Sequence, residues 1–374
     1  MIPKTTLMVV VAVVMVALQK SDGRSSRSSR KQRYTYVNAT WKQVLKSAES
    51  GGWFTQTLRM ERSYFEAIVL RVERRWLEKF EPLGPNVTWD IQDRVAVAIH
   101  YYTHSSNLAT TGAVFGISKT SVHRYVWQVT TIILLYQSET IALPDNNDKW
   151  RVISDGFETI AGVPGVLGAI DGTLFEIERG NDFEGYYCRK GFPSFNVQAI
   201  ADHQKRFIQV SIFPGSYSDK SIFNATALRN VQSLNLPVDC HFLGDAGYQL
   251  MGHVMIPYEI RPSMPDDESN YNYQHSRTRI KVEQAFGLYK GKFRMFKRPL
   301  DLKTKAFMSK IIIATMILHN WLIDFGSYNS VNAVIEPWMH IGDDDAGEQT
   351  QQSLLVTQEA IQKRNTLKEY LQNV

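Results

Sequence analysis

The chain has 374 residues, of which 44% are hydrophobic and 21% charged, a globular composition with enough apolar residues for a sizeable core in two or three domains. A net charge of +5 biases it mildly towards anionic partners. Two cysteines, Cys188 and Cys240, exclude a disulfide framework and suit a reducing compartment.

The N-terminus opens with "MIPKTTLMVVVAVVMVALQK". The apolar run from Leu7 to Leu18 is short for a membrane span but has the length of a signal-peptide core. "VALQKSDG" carries no clean small-x-small cleavage site, and sequons at Asn38, Asn86 and Asn224 would also suit secretion. Next comes "SDGRSSRSSRKQR", a basic stretch of low complexity. It reads as a disordered arm serving as a nuclear address or phosphate-binding tail, or simply as a solvated run. Residues 1–33 are thus an apolar segment and an arm, and secretion and a nuclear location both stay open at this point.

Residues 34–145 are patterned mostly as helix. Within about 94–136, a first helix ends near Ser105 and a second runs from about Asn107 to a stop at Gly116. Ser118 is placed to cap a third helix beginning Lys119-Thr120-Ser121. Helix, glycine turn and capped helix is the pattern of a helix-turn-helix, with Lys119, Thr120 and Arg124 as candidate DNA contacts. Val122, Val126 and Val129 at core spacing fit an ordinary helical hairpin equally well. His100 and His104 lack the companion Glu of a zinc-protease helix and read as structural.

After the loop "LPDNNDKW" the pattern turns to strand. "GVLGAIDG" ends at Asp171. "FNVQAIADH" and "RFIQVSIFPG" form a hairpin, with Ile208, Val210 and Ile212 alternating against Gln209 and Ser211. "SDKSIFNATALRNVQ" reads as a helix with Asp219 in or beside its first turn, and "VDCHFLGDAGY" as a buried strand ending at Asp245. A loop rich in Pro, Asp and Asn then leads to the basic helix "HSRTRIKVEQAFGLYKGKFRMF". The expected fold is an α/β mixed sheet flanked by helices, with the last strand parallel to the first. Asp171 and Asp245 would then stand at neighbouring strand ends, where ligands of such sheets collect. At 100° per residue, Glu283 lies at the edge of an apolar face between Ile280 and Phe286. Arg279, Lys290 and Arg294 project the same way. This suits a metal ligand beside a bound phosphate backbone, or a plain salt bridge.

"GAIDGT", "GFPSFNVQAIADHQKRFIQVSIFPGSYSDKSIFNATAL", "FLGDAGYQL" and the basic helix resemble, in order, the blocks of Harbinger-type transposase nucleases, across about 166–325. The resemblance implies an RNase H-like nuclease domain over 151–325. In it Asp171, Asp245 and Glu283 would be catalytic metal ligands, and Asp219 a fourth ligand or an outer acid. It further implies Mg²⁺ or Mn²⁺ as cofactor, DNA as substrate, a nuclear location and a separate Myb-like DNA-binding partner. Leu174 departs from the family, which often carries His there. No Walker loop, small-molecule cofactor motif or membrane signature beyond the N-terminus accompanies it. Residues 326–374 read as an acidic linker and a final amphipathic helix. The alternatives to a metal-dependent nuclease are a domesticated, catalytically inactive DNA-binding or chromatin-associated protein, and a secreted globular protein.

Overall fold

The structure, a computed structural model, describes residues 39–47, 51–180, 184–230, 234, 236–328 and 357–373. The expected N-terminal segment and basic arm, and the acidic stretch 341–352, lie outside them. The described chain forms two compact units, 39–133 and 134–373.

The first unit comprises α1 (Ala39–Lys46), the single turn α2 (Gly51–Trp53), α3 (Arg62–Arg75), α4 (Ile91–Thr103), α5 (Leu108–Phe115) and α6 (Lys119–Leu134). Trp41 packs edge-on against Phe54, Phe65 and Phe115 at its centre. Its indole N–H donates to Asp93 Oδ1 (2.8 Å), and Lys42 pairs with the same carboxylate. A buried acid is tolerable only with such partners.

The helix boundaries follow from local chemistry. Asp90 and Asp93 cap α4 reciprocally, and Asn107 caps α5. Gly116, at φ 66°, takes the left-handed conformation that ends α5. Ser118 Oγ accepts from the Ser121 N–H (3.1 Å) and starts α6. Val122, Val126 and Val129 are buried, whereas Lys119, Thr120 and Arg124 are exposed. His100 stacks on His104 (4.3 Å) and lies 3.2 Å from Thr111 Oγ1. Burial and the neighbouring imidazole hold its pKa down to about 3. A neutral core histidine is what the missing metal motif implied.

The second unit adds α7 (Gln137–Thr140), α8 (Asn147–Ala161), strands β1 (Val166–Glu176), β2 (Ser194–Ala201) and β3 (Phe207–Pro214), and α9 (Asp219–Ala225). It continues with β4 (His241–Leu243), β5 (Val254–Met255), α10 (Asp266–Lys292), α11 (Lys305–Asp324) and α12 (Gln358–Tyr370). Residues 134–145 belong here, where the Asn320 amide donates to Thr140 O (3.0 Å).

The sheet order is β3-β2-β1-β4-β5. β1–β2 and β2–β3 are antiparallel, β1–β4 and β4–β5 parallel. A mixed sheet whose returning strand lies parallel beside the first is the arrangement expected from the sequence. Trp150, Ile153 and Phe157 of α8 join Val166, Ile170 and Phe242 in the core. Phe207 packs against Phe286 and Tyr289 of α10 and His319 of α11. α11 is long and apolar enough to cross a membrane, but most of it is buried inside this unit.

Several boundaries differ from expectation. β1 continues five residues past Asp171, because its second half pairs with β2 after β4 has ended. β5 falls in a stretch read as loop. On β3, Phe207, Ser211 and Phe213 are buried while Val210 and Ile212 are only half-buried, since α11 packs against that strand. α10 begins at Asp266, where Asp266, Asp267 and Glu268 in the first turn complement the helix dipole. It ends at Lys292, so Arg294 lies beyond it in a 3₁₀ turn. Ile280 is 38% exposed, and the buried stripe of α10 runs instead through Val282, Ala285, Phe286 and Tyr289.

β1 and β2 approach closely at Gly168, where an added Cβ would overlap Ile200 Cγ2 and lie 3.3 Å from Ala201 O. A β-branched side chain in a packed sheet yields little. Gly168→Ala is therefore expected to lower unfolding stability by about 1–3 kcal/mol, read from urea denaturation midpoints.

Candidate acidic active site

The last residues paired between β1 and β4 are Ala169 and Leu243. Asp171 and Asp245 each stand two residues further along, so parallel pairing brings them side by side. Asp171 Oδ1 accepts from the Gly172 N–H and Asp245 Oδ1 from the Gly247 N–H, each at 2.9 Å. Asp171 is thus held mid-strand, opposite Ala199 on β2, rather than at a strand end.

Asp219 is the first residue of α9, behind its cap Ser218. Its Oδ1 accepts from Asn196 Nδ2 at 3.0 Å. The carboxylate lies over Gly172, where any Cβ would fall on Asp219 Oδ1. Glu283 projects from α10, paired with Arg279 one turn earlier, and its side chain keeps 37% of its exposure.

The electrostatics join these acids into one group. Burial foremost pushes the Asp171 carboxyl up to about 8; Arg279 opposes this, while Asp245, Asp219 and Glu283 reinforce it. Asp245 is also raised, by burial first, against the pull of Arg279 and the Gly247 N–H. Arg279 is half-buried, and Asp171, Glu283 and Asp245 together raise its pKa against the desolvation that lowers it. Asp171, Asp245 and Glu283 thus share Arg279 as counter-cation, and Lys290 also acts on Asp171.

The remaining expected site residues divide. Lys290, half-buried, donates to Thr173 Oγ1 (2.7 Å) and Leu174 O (2.9 Å) and lies 4.5 Å from the Phe175 ring. Burial brings its pKa down to about 8. It braces β1 through these two hydrogen bonds. Arg279 faces the acids, and Arg294 lies off the helix, so the three cations do not form the single stripe drawn on a regular helix. Lys119, Thr120 and Arg124 belong to the other unit.

Three participants were not foreseen: Asn196, Gln198 and Tyr248. Gln198 Nε2 donates to Asp219 O (3.0 Å) and to Tyr248 Oη (2.9 Å). Burial, then Asp219, Asp171 and Asp245, hold the Tyr248 phenol neutral, well above its ordinary range. A visible signal existed: two amides at i and i+2 in the otherwise apolar "SFNVQAIA".

The donor set suits a hard divalent cation in kind. It is all oxygen: four carboxylates, with Asn196 Oδ1 and Gln198 Oε1 buried and accepting no hydrogen bond within the chain. Among the described residues, however, no three His, Cys, Asp or Glu side chains stand close enough to hold one ion as placed.

Residues 170–320 match the DDE superfamily endonuclease family. HARBI1 of Homo sapiens is 30% identical over 240 residues, covering 63% of this chain and 68% of that protein. An ALP1-like protein of Arabidopsis thaliana is 25% identical over 296 residues, covering 72% and 70% respectively. The chain belongs to the Harbinger transposase-derived nuclease family. A second Arabidopsis relative, named antagonist of like heterochromatin protein 1, is 24% identical over 260 residues, 64% of each chain. No solved structure matches. The family match takes in the second part of β1 and strands β2 to β5, and carries all four acids. A DDE endonuclease region with a mixed sheet flanked by helices is what the sequence blocks led us to expect; the fifth strand was not foreseen.

Two outcomes follow. In chelator, folded Asp171 retains a proton that the unfolded chain releases above about pH 4. Its stabilising contribution is therefore complete below about pH 4 and lost as pH rises through about 8. Unfolding midpoints should fall over this window by at most about 1.4 kcal/mol per pH unit for this group, and Asp171→Asn should flatten the slope. Separately, Gly172→Ala should displace the Asp219 carboxylate. We expect Mn²⁺ affinity, measured by calorimetry, to fall about 10-fold or more, with far-UV circular dichroism unchanged.

Proposed function

We propose that this protein is a divalent-metal-dependent DNA endonuclease with transposase-like phosphodiester cleavage and strand-transfer chemistry. What supports this reading is the electrostatic coupling of Asp171 to Asp219, Asp245 and Glu283, with the half-buried Arg279 acting on Asp171, Asp245 and Glu283, in a chain of this family. Asp171, Asp245 and Glu283 would hold Mg²⁺ or Mn²⁺, with Asp219 as a fourth ligand or outer acid. When bound, such ions supply the Lewis acidity that activates the attacking oxygen and stabilises the leaving oxygen of an in-line displacement.

The chain's own residues do the rest. Gly172 and Gly247 N–H groups orient two carboxylates, Asn196 orients the third, and Arg279 holds Glu283 against its neighbours. In the first unit, α5, Gly116 and α6 are proposed to act as a helix-turn-helix. The exposed Lys119, Thr120 and Arg124 would meet phosphates or base edges there. This reading places the protein in the nucleus.

A second reading, a domesticated DNA-binding or chromatin-associated protein without turnover, draws on the heterochromatin-related name of one Arabidopsis relative. It also draws on the way Arg279 neutralises the acids without a metal. Supercoiled plasmid incubated with the full chain in Mg²⁺ or Mn²⁺ separates the two. The nuclease reading expects nicking that chelator abolishes and that Asp245→Asn reduces by about 100-fold or more. DNA retained in a mobility-shift assay but cut in neither ion would establish the second.

A further inference from the structure

β2 is buried along all eight residues, yet carries two amides on one face, Asn196 and Gln198. Amides are costly in such a strand unless their hydrogen bonds are made. All the donors are engaged. Asn196 Nδ2 reaches Tyr217 O and Asp219 Oδ1, both at 3.0 Å. Gln198 Nε2 reaches Asp219 O at 3.0 Å and Tyr248 Oη at 2.9 Å.

Their targets lie on two separate elements of the acidic site, the start of α9 and the turn that follows β4. Tyr217 O, Asp219 Oδ1 and Asp219 O can only accept, so flipping either amide would set oxygen against oxygen; the Tyr248 hydroxyl suits either orientation, and these three oxygens fix the assignment. Gln198 also sits opposite Gly172 in the β1–β2 register, beneath the space the Asp219 carboxylate occupies.

Resting on the metal-dependent reading above, we propose that Asn196, Gln198 and Tyr248 are positioning residues that set the spacing between Asp219 and Asp245. Asn196 aims the Asp219 carboxylate, and Gln198 fixes its backbone. Through the Tyr248 hydroxyl, the same Gln198 amide ties that backbone to the turn carrying Asp245. A cation between the acids would meet a frame that β2 has already set.

The test is a double-mutant cycle on the full chain, with Gln198→Met and Tyr248→Phe. It reads Mn²⁺ dissociation constants by electron paramagnetic resonance and unfolding midpoints in chelator. We expect Gln198→Met to weaken Mn²⁺ binding about 10-fold or more, and Tyr248→Phe to weaken it severalfold. The double variant should be no worse than Gln198→Met alone, because both changes break one link. A packing defect would instead lower the midpoint or the number of sites while leaving the dissociation constant of folded protein unchanged.

Mn²⁺ affinity within twofold of the parent in Gln198→Met, or additive losses across the cycle, would overturn the proposal. If Gln198→Met does not fold, Tyr248→Phe decides alone, and parental affinity there overturns it equally. A parent chain that binds no Mn²⁺ defeats the metal-dependent reading itself and this inference with it. A parent that binds while both variants match it defeats only this inference.

Discussion

Negative charge gathered beside β1, the central strand of the sheet, is the constraint around which the second unit is organised. Asp171, Asp219, Asp245 and Glu283 each raise the cost of ionising Asp171 or lie beside a group that does. All four are half-buried, so water screens them less than on an open surface. Arg279 answers Asp171, Asp245 and Glu283, which hold its charge against desolvation, and Lys290 lies within electrostatic reach of Asp171. Removing one partner of such a set leaves uncompensated charge in a low-dielectric place, so the members stand or fall together.

The large-scale architecture can be traced to that constraint. Parallel pairing of β1 with β4 aligns Asp171 with Asp245 through the Ala169–Leu243 register. The 27-residue α10, anchored at its far end by contacts with α12, carries Glu283 and Arg279 across the sheet on one helical turn. Lys290, two turns further along, fastens the same helix to β1 through Thr173 and Leu174. Three of the acids are held by backbone or amide donors. Glu283, with its i,i+4 partner and partial exposure, is the member whose side chain has room to rearrange.

Much of this was legible in the chain because it depends on local chemistry or on buried runs. Asn107, Gly116 and Ser118 set the helix ends of the first unit within a residue or two, since a cap acts over three residues. The parallel pairing that sets Asp171 level with Asp245 followed from two apolar runs joined by a crossover, although Asp171 lies within its strand and not at its end. Long-range contacts were less visible. That β1 continues past Asp171 depends on β2, and the inward turn of Lys290 depends on Thr173, 117 residues away in sequence. A regular helical wheel carried Arg294 onto a helix that had already ended. Gln198 looked like one polar residue in a strand, because its partners lie 21 and 50 residues further along.

The buried polar network bears on whether the site is a relic. Apolar residues of similar volume commonly stabilise a core as well as, or better than, a buried ionic cluster, and sequence change readily finds such replacements when only the fold is needed. This chain instead keeps four acids, a guanidinium, two amides and a phenol in mutual contact or electrostatic reach. Each has a separate structural device behind it: a cap, an Asx turn, a glycine without a Cβ, a pair of strand amides. A protein that only grips DNA through surface cations requires none of these. Acids braced in this way, Asp171 within β1 and Asp245 just past the parallel β4, are what a site built to receive a cation would require, and this favours the nuclease reading over the purely binding one.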